Sequence, residues 1–170
     1  MIIGLDFDNT IILYDTPVHE VALSMGLIPS TLAKDKIVVR DYIRQSAAGD
    51  EGWQKVQGQI YGKKIGLATL AEGFVQFAEE ARKRGVTLKV VSHKTERGHF
   101  DDQHINLRTA ALDWMTQKKF FSETAKGGLG FLKEDIFFEE TRLGKINRLA
   151  ELVQLFSPEK YNKVPIYSTK

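Results

Sequence analysis

The chain has no cysteine in its 170 residues, which excludes disulfides, thiolate metal sites and a cysteine nucleophile. No apolar run approaches the roughly 20 residues that a bilayer-spanning helix needs. The N-terminus lacks the charged start and long apolar stretch of a signal peptide, because Asp6 interrupts the first run after five residues. Neither sign of charge dominates: Lys and Arg number 24 against 22 Asp and Glu, a net charge of +2. Nothing therefore calls for a nucleic acid or an anionic membrane as partner. The short basic runs Arg82-Lys83-Arg84 and Lys118-Lys119 end helical segments, where the helix dipole favours them. There is no internal repeat and no low-complexity segment. A cytoplasmic protein is expected.

What is present is ordinary globular material, 42% hydrophobic and 27% charged, enough for one domain or a small core carrying an inserted subdomain. Residues 2–7 read as a buried parallel-type strand, apolar on both faces. Thr16-Pro17 reads as the cap and first position of a helix that Gly26 stops. A second helix is expected over Lys36–Gln45 with Ile37, Val38, Tyr42 and Ile43 on one side, and a third from Asp50 with Trp53, Val56, Ile60 and Tyr61 at helical spacing. The best-patterned helix covers 69–84, with Leu70, Phe74, Phe77, Ala78 and Ala81 as its stripe and Gly85 as its stop. Strands follow at 86–91 and 135–138, with helices over 105–120 and 142–155, the latter capped by Thr141. The run Gly127-Gly128-Leu129-Gly130 lacks the spacing of a dinucleotide fingerprint and reads as a turn.

Strands alternating with helices predict an α/β fold with a mainly parallel sheet. Ligands in such sheets sit at the carboxyl ends of the strands. That rule brings Asp6 and Asp8, Ser92, and Glu139-Glu140 with Lys145 to one crevice. Two acids one residue apart at a strand end repel unless a cation or a bound electrophile relieves them. Mg²⁺ suits them, since it takes hard oxygen ligands and a substrate phosphate. Ser92 adds a hydroxyl donor, and Lys145 a positive charge near a helix start that already favours anions. Together these parts fit phosphoryl transfer, where positioning and charge stabilisation supply most of the catalysis.

These residues match a known pattern. Asp6-Phe7-Asp8-Asn9-Thr10 resembles motif I of the haloacid dehalogenase-like (HAD) hydrolase superfamily, D-x-D-x-T behind a first strand. LKVVSHKT resembles its motif II, ending in Ser92, and TRLGKINRLAEL its motif III, with Lys145 as the lysine. The resemblance covers about residues 1–152 and implies a Rossmannoid parallel sheet flanked by helices. Its mechanism would make Asp6 the nucleophile and Asp8 the general acid, then the base. An acid at Asp8 is similar to the phosphatase branch. Thr10 would brace the loop on the substrate side, Ser92 would bind the phosphoryl group, and Lys145 would neutralise Asp6. Mg²⁺ would rest on Asp6 and the Asp8 carbonyl.

The family's motif IV, an acidic pair after a further strand, has no counterpart after the last helix, where the only acid is Glu159. Glu139 and Glu140 are then the best-placed replacements at the metal, Glu140 first, with Asp101-Asp102 next. The stretch 16–83 is expected to form a small helical cap, with 1–15 and 84–170 as the core, and caps of this kind gate the crevice. His93, Lys94 and Arg97 follow Ser92 and are specificity candidates. Trp53, Tyr61 and Arg44 are weaker ones, since aromatics at helical spacing read first as cap core. His99, His104 and Asp101 have no established metal spacing and read as a polar loop. The expected activity is Mg²⁺-dependent hydrolysis of a small phosphorylated metabolite. Its rivals are an impaired domain that binds a phosphorylated ligand or a partner protein, and a dehalogenase on the same scaffold. Residues 164–168 are expected to cover the edge of the third strand; otherwise that edge pairs between chains in a homodimer.

Overall fold

The computed structural model describes residues 1–98 and 104–156. The expectations for His99, Asp101, Asp102, Glu159 and residues 164–168 lie outside these residues. The fold is α/β, a small parallel sheet flanked by helices. Strand β1 (Ile2–Leu5) pairs in parallel with β4 (Thr87–His93), which pairs in parallel with β5 (Ile136–Glu139), in the order β1-β4-β5. Between them come β2 (Ile12–Leu13) and β3 (Thr69–Leu70), which form a separate antiparallel pair. No helix among the described residues is long and apolar enough to cross a membrane.

Among the described residues strand β1 is an edge strand, and it is only partly buried rather than covered on both faces as expected. The central strand β4 takes the buried role, with Leu88, Val90, Val91 and Ser92 withdrawn from solvent. Helix α6 (Arg142–Phe156) packs against all three strands. Gly4 makes that approach close: a Cβ there would stand 2.8 Å from Leu149 Cδ2. Helix α4 (Phe74–Lys83) packs on β4 and sends Phe74, Ala78 and Ala81 into the core. It begins later than its apolar pattern suggested. Residues 69 and 70 belong to β3, and Gly73, at φ +77°, ends the extended segment with a left-handed residue.

The chain between β2 and β3 carries α1 (Asp15–Ser24), α2 (Lys36–Gln45) and α3 (Gly49–Tyr61), which pack on one another. Helix α4, expected within an insertion over 16–83, sits with the sheet instead. The two-residue pairing Ile12↔Leu70 and Leu13↔Thr69 closes the excursion before α4 starts. Helix α1 starts at Asp15, two residues before the start that a Thr16 cap would give, with Tyr14 before it and Pro17 inside its first turn. In α2 the buried side chains are Val39 and Ile43, while Ile37, Val38 and Tyr42 remain exposed. The helix is thus rotated from the face its apolar residues suggested.

Asp35 caps α2, its carboxylate accepting from Ile37 N–H at 2.8 Å and Val38 N–H at 2.9 Å. Asp35→Ala is expected to cost about 1 kcal/mol in urea unfolding. Thr141 Oγ1 likewise accepts from Gly144 N–H at 2.9 Å and caps α6, as the sequence indicated. The core is one cluster running from the sheet into the α1–α3 layer, centred on Phe7, Tyr14, Trp114 and Phe120.

Candidate functional site

The D-x-D spacing has a packing cause. Phe7 is fully buried, edge-on to Trp114 at 5.8 Å and tilted against Phe138 at 5.9 Å. Its carbonyl accepts from Thr10, Ile11 and Ile12 N–H, which turns the chain sharply after β1. Asn9 takes the left-handed conformation that this turn needs, at φ +60°. With Phe7 anchored inward, its two acidic neighbours are left at the carboxyl end of the sheet.

Asp6 is held by three donors. Its Oδ1 accepts from Phe7 N–H at 2.8 Å and from the Ser92 hydroxyl at 2.7 Å. Its Oδ2 meets Lys145 Nζ at 2.7 Å. Ser92 is buried at the end of β4, and Lys145 lies in the first turns of α6. The Asp6 side chain keeps 42% of its surface exposed, open to a ligand.

Asp8 has a different set. Tyr14 donates its hydroxyl to Oδ1 at 2.7 Å, and Lys94 Nζ approaches Oδ1 at 3.2 Å and Oδ2 at 3.1 Å. Lys94 is 3% exposed and lies over the rings of Tyr61, at 4.8 Å, and Phe7, at 5.5 Å. A third lysine, Lys36, comes from the start of α2. Its ammonium donates to Asn9 Oδ1 at 3.2 Å and Tyr61 Oη at 2.9 Å, and stands over the rings of Tyr14 and Tyr61. Its bonded acceptors are neutral oxygens. Burial lowers the Lys36 ammonium from its ordinary value, while Asp8 and Asp15 pull the other way. Three lysines therefore surround two carboxylates, and the mouth favours an anion.

The sequence-derived residues divide accordingly. Asp6, Ser92 and Lys145 are in direct contact, and Asp8 and Lys94 in another. Thr10 is exposed and joins the turn through its N–H. His93 is exposed, one ring nitrogen 3.0 Å from the Glu140 carbonyl. Glu140 does not join the acids: its carboxylate pairs with Arg108 at 2.6 Å. Glu139 pairs with Arg148 at 2.9 Å. Trp53 is buried core and Arg44 pairs with Asp50, whereas Tyr61 reaches the crevice. Tyr14 and Lys36 carried no sequence signal, since each acquires its partner only through the packing of α1 and α2 over the turn.

Among the described residues no group of three or more acids or histidines stands ready for a metal. A smaller set exists. The Asp6 carboxylate, partly exposed, and the Asp8 carbonyl, to which no N–H of the described residues donates, fit a Mg²⁺ that keeps waters and shares a phosphate.

A cleft of about 290 Å³ opens beside Asp8, walled by α3 and by the segment after Ser92. The chain matches no family model, no curated protein and no solved structure.

The two tyrosines give the region a pH dependence. Burial first, then the negative charge of Asp8, push the Tyr61 hydroxyl from 10.0 up to about 12, and the same causes raise Tyr14 well above its ordinary value. The unfolded chain loses these protons near pH 10, before the folded one does. Stability is therefore complete below that pH and falls as the pH rises toward about 12. Thermal melts across this range are expected to show that loss, and Tyr61→Phe to flatten it.

Proposed function

We propose that this protein is a HAD-like phosphomonoesterase that hydrolyses a small phosphorylated metabolite through an aspartyl-phosphate, with Mg²⁺ as cofactor. The observation that carries the reading is the Asp6 carboxylate gripped by Ser92, 86 residues away, and by Lys145 at 2.7 Å. A nucleophile, a hydroxyl donor and a cation converge from three elements at the carboxyl ends of a parallel sheet, the usual location for a site in such folds. The motif I resemblance and the net positive mouth support the same reading.

Asp6 attacks phosphorus, forming a new P–O bond as the ester P–O bond breaks, and the leaving oxygen takes a proton from Asp8. Asp8, now a carboxylate, accepts a proton from the water that attacks the aspartyl-phosphate. Inorganic phosphate leaves and Asp6 is restored. Lys145 offsets charge on Asp6 and on the phosphoryl oxygens, and the Ser92 hydroxyl, which donates its one proton to Asp6 in the free protein, turns to donate it to the phosphoryl group when the ester is bound. Tyr14 and Lys94 fix the orientation of Asp8. Mg²⁺, held by the Asp6 carboxylate and the Asp8 carbonyl, would add positive charge against the phosphoryl oxygens.

One observation favours a second reading, a domain that binds a phosphorylated ligand without turnover. Lys94 and Tyr14 close on the Asp8 carboxylate, and Glu140 is engaged with Arg108. The readings separate in an assay of p-nitrophenyl phosphate and a panel of small phosphate esters, with Mg²⁺ and with EDTA. The enzyme reading expects Mg²⁺-dependent release of phosphate, lowered about 10²–10⁴-fold in Asp8→Asn. Phosphate binding without any release supports the second reading and removes the first.

A further inference from the structure

Two of the three lysines at the mouth are answered by a carboxylate: Lys145 meets Asp6 at 2.7 Å and Lys94 meets Asp8 at 3.1 Å. Lys36 is not. Its ammonium donates to Asn9 Oδ1 at 3.2 Å and Tyr61 Oη at 2.9 Å, both neutral, which leaves one of its three protons without an oxygen partner among the described residues. The two acids that act on it from a distance are engaged elsewhere. Asp8 holds Tyr14 and Lys94, and Asp15 accepts from the Lys36 backbone N–H at 3.0 Å.

A lysine here also runs against local preference. Lys36 is the first residue of α2, at the positive end of the helix dipole, where acids are favoured over bases. It is nevertheless held firmly, by the Asp15 bond to its backbone and by the faces of Tyr14 and Tyr61 at 5.2 and 5.3 Å. A locally disfavoured residue that the packing fixes in place marks a functional position. Shared neighbours locate it. Tyr14 gives its ring to Lys36 and its hydroxyl to Asp8, and the Tyr61 ring carries both Lys36 and Lys94. Lys36 therefore stands on the Asp8 side of the mouth, and Lys145 on the Asp6 side.

Resting on the phosphomonoesterase reading, we infer that Lys36 determines specificity and that the alcohol part of the substrate carries its own negative charge, a carboxylate or a second phosphate, which pairs with the Lys36 ammonium. Phosphorus meets Asp6 and the leaving oxygen meets Asp8, so the alcohol continues from Asp8 toward Lys36. An anion there takes up the third proton in a charge-assisted bond and offsets the partial burial of the cation; a neutral alcohol does neither.

The test compares kcat/KM for glycerol 3-phosphate, whose alcohol is neutral, with phosphoglycerate, which adds a carboxylate, and propanediol bisphosphate, which adds a phosphate. The wild type is expected to prefer the better of the two charged esters over the neutral one by about tenfold or more, and that ester names the group. Lys36→Met is expected to lower kcat/KM for it about tenfold more than for glycerol 3-phosphate. Lys36→Glu guards against simple misfolding, because it is expected to raise phosphoethanolamine, which carries an ammonium, relative to glycerol 3-phosphate, a gain that a damaged fold does not produce. Equal wild-type rates on charged and neutral esters overturn the inference. So do equal losses on both in Lys36→Met, the result expected of a lysine that only fastens α2 to the turn. Should no ester and no p-nitrophenyl phosphate be hydrolysed, the phosphatase reading is the one that falls. Calorimetric affinities for the same esters then decide the role of Lys36: tighter binding of a charged ester, lost in Lys36→Met, upholds it, and equal binding ends it.

Discussion

Asp6→Asn is expected to abolish phosphate-ester hydrolysis, by on the order of 10⁴-fold or more, while leaving the fold intact. An amide is a poor nucleophile toward phosphorus and cannot make the aspartyl-phosphate. Its oxygen still accepts from Phe7 N–H and from Ser92, so the local bonding to Oδ1 survives. The lost partner is Lys145, whose side chain is 24% exposed facing a carboxylate 42% exposed, so water replaces much of the pair. Loss of turnover with an unchanged melting temperature separates a chemical role from a structural one. Activity within tenfold of wild type would remove Asp6 as the nucleophile. Intact-mass detection of a phosphorylated wild-type chain, absent in Asp6→Asn, would confirm the covalent step.

Phe7→Ala is expected to produce the largest loss of stability, about 3–5 kcal/mol. The ring is fully buried between Trp114 and Phe138 and also supports the buried ammonium of Lys94. For a chain of this size the melting temperature should fall by about 6–20 °C. The substitution also tests how the site is built, because Phe7 anchors the turn that carries both acids. Activity measured well below the lowered melting temperature should fall as well, since neither acid retains its packed reference point. A Phe7→Leu variant, which keeps most of the apolar volume, is expected to recover much of both quantities. If Phe7→Ala melts like wild type, the core position assigned to Phe7 is wrong.

The legible parts of this molecule are those in which local chemistry and tertiary packing demand the same residues. Helix α2 falls where a helical pattern begins behind a capping aspartate, and α6 where Thr141 caps the chain. Asp6, Ser92 and Lys145 were legible together because strand ends converge in any parallel sheet. Strands β2 and β3 were not, since two-residue strands leave no period to detect and residues 69–70 continued a helical apolar pattern. Burial along α2 was misjudged because Val39, fully buried, lies among apolar residues of equal hydropathy, and only the neighbouring helices choose the inward face. Glu140 illustrates the same limit within the site. Its position at the end of β5 suggested metal binding, but Arg108 of α5 (Leu107–Gln117) stands opposite and pairs with it. Tyr14 and Lys36 meet the acidic turn through contacts between segments with no shared local pattern.

The short β2–β3 pairing sets Leu13 beside Thr69, so the chain leaves the sheet layer and returns to it at neighbouring points. To the rest of the molecule, everything between those two residues is topologically a hairpin loop. The entropic cost of closing a loop grows only slowly with its length, so such a segment tolerates exchange and elongation. The groups proposed to act on the phosphoryl ester, Asp6, Asp8, Ser92 and Lys145, all lie outside it. Gln54, Gln57, Tyr61 and Lys36 all lie within it. On the proposed reading, substitutions in the excursion would alter the wall of the cleft that α3 supplies while leaving the residues that act on the phosphoryl group unchanged.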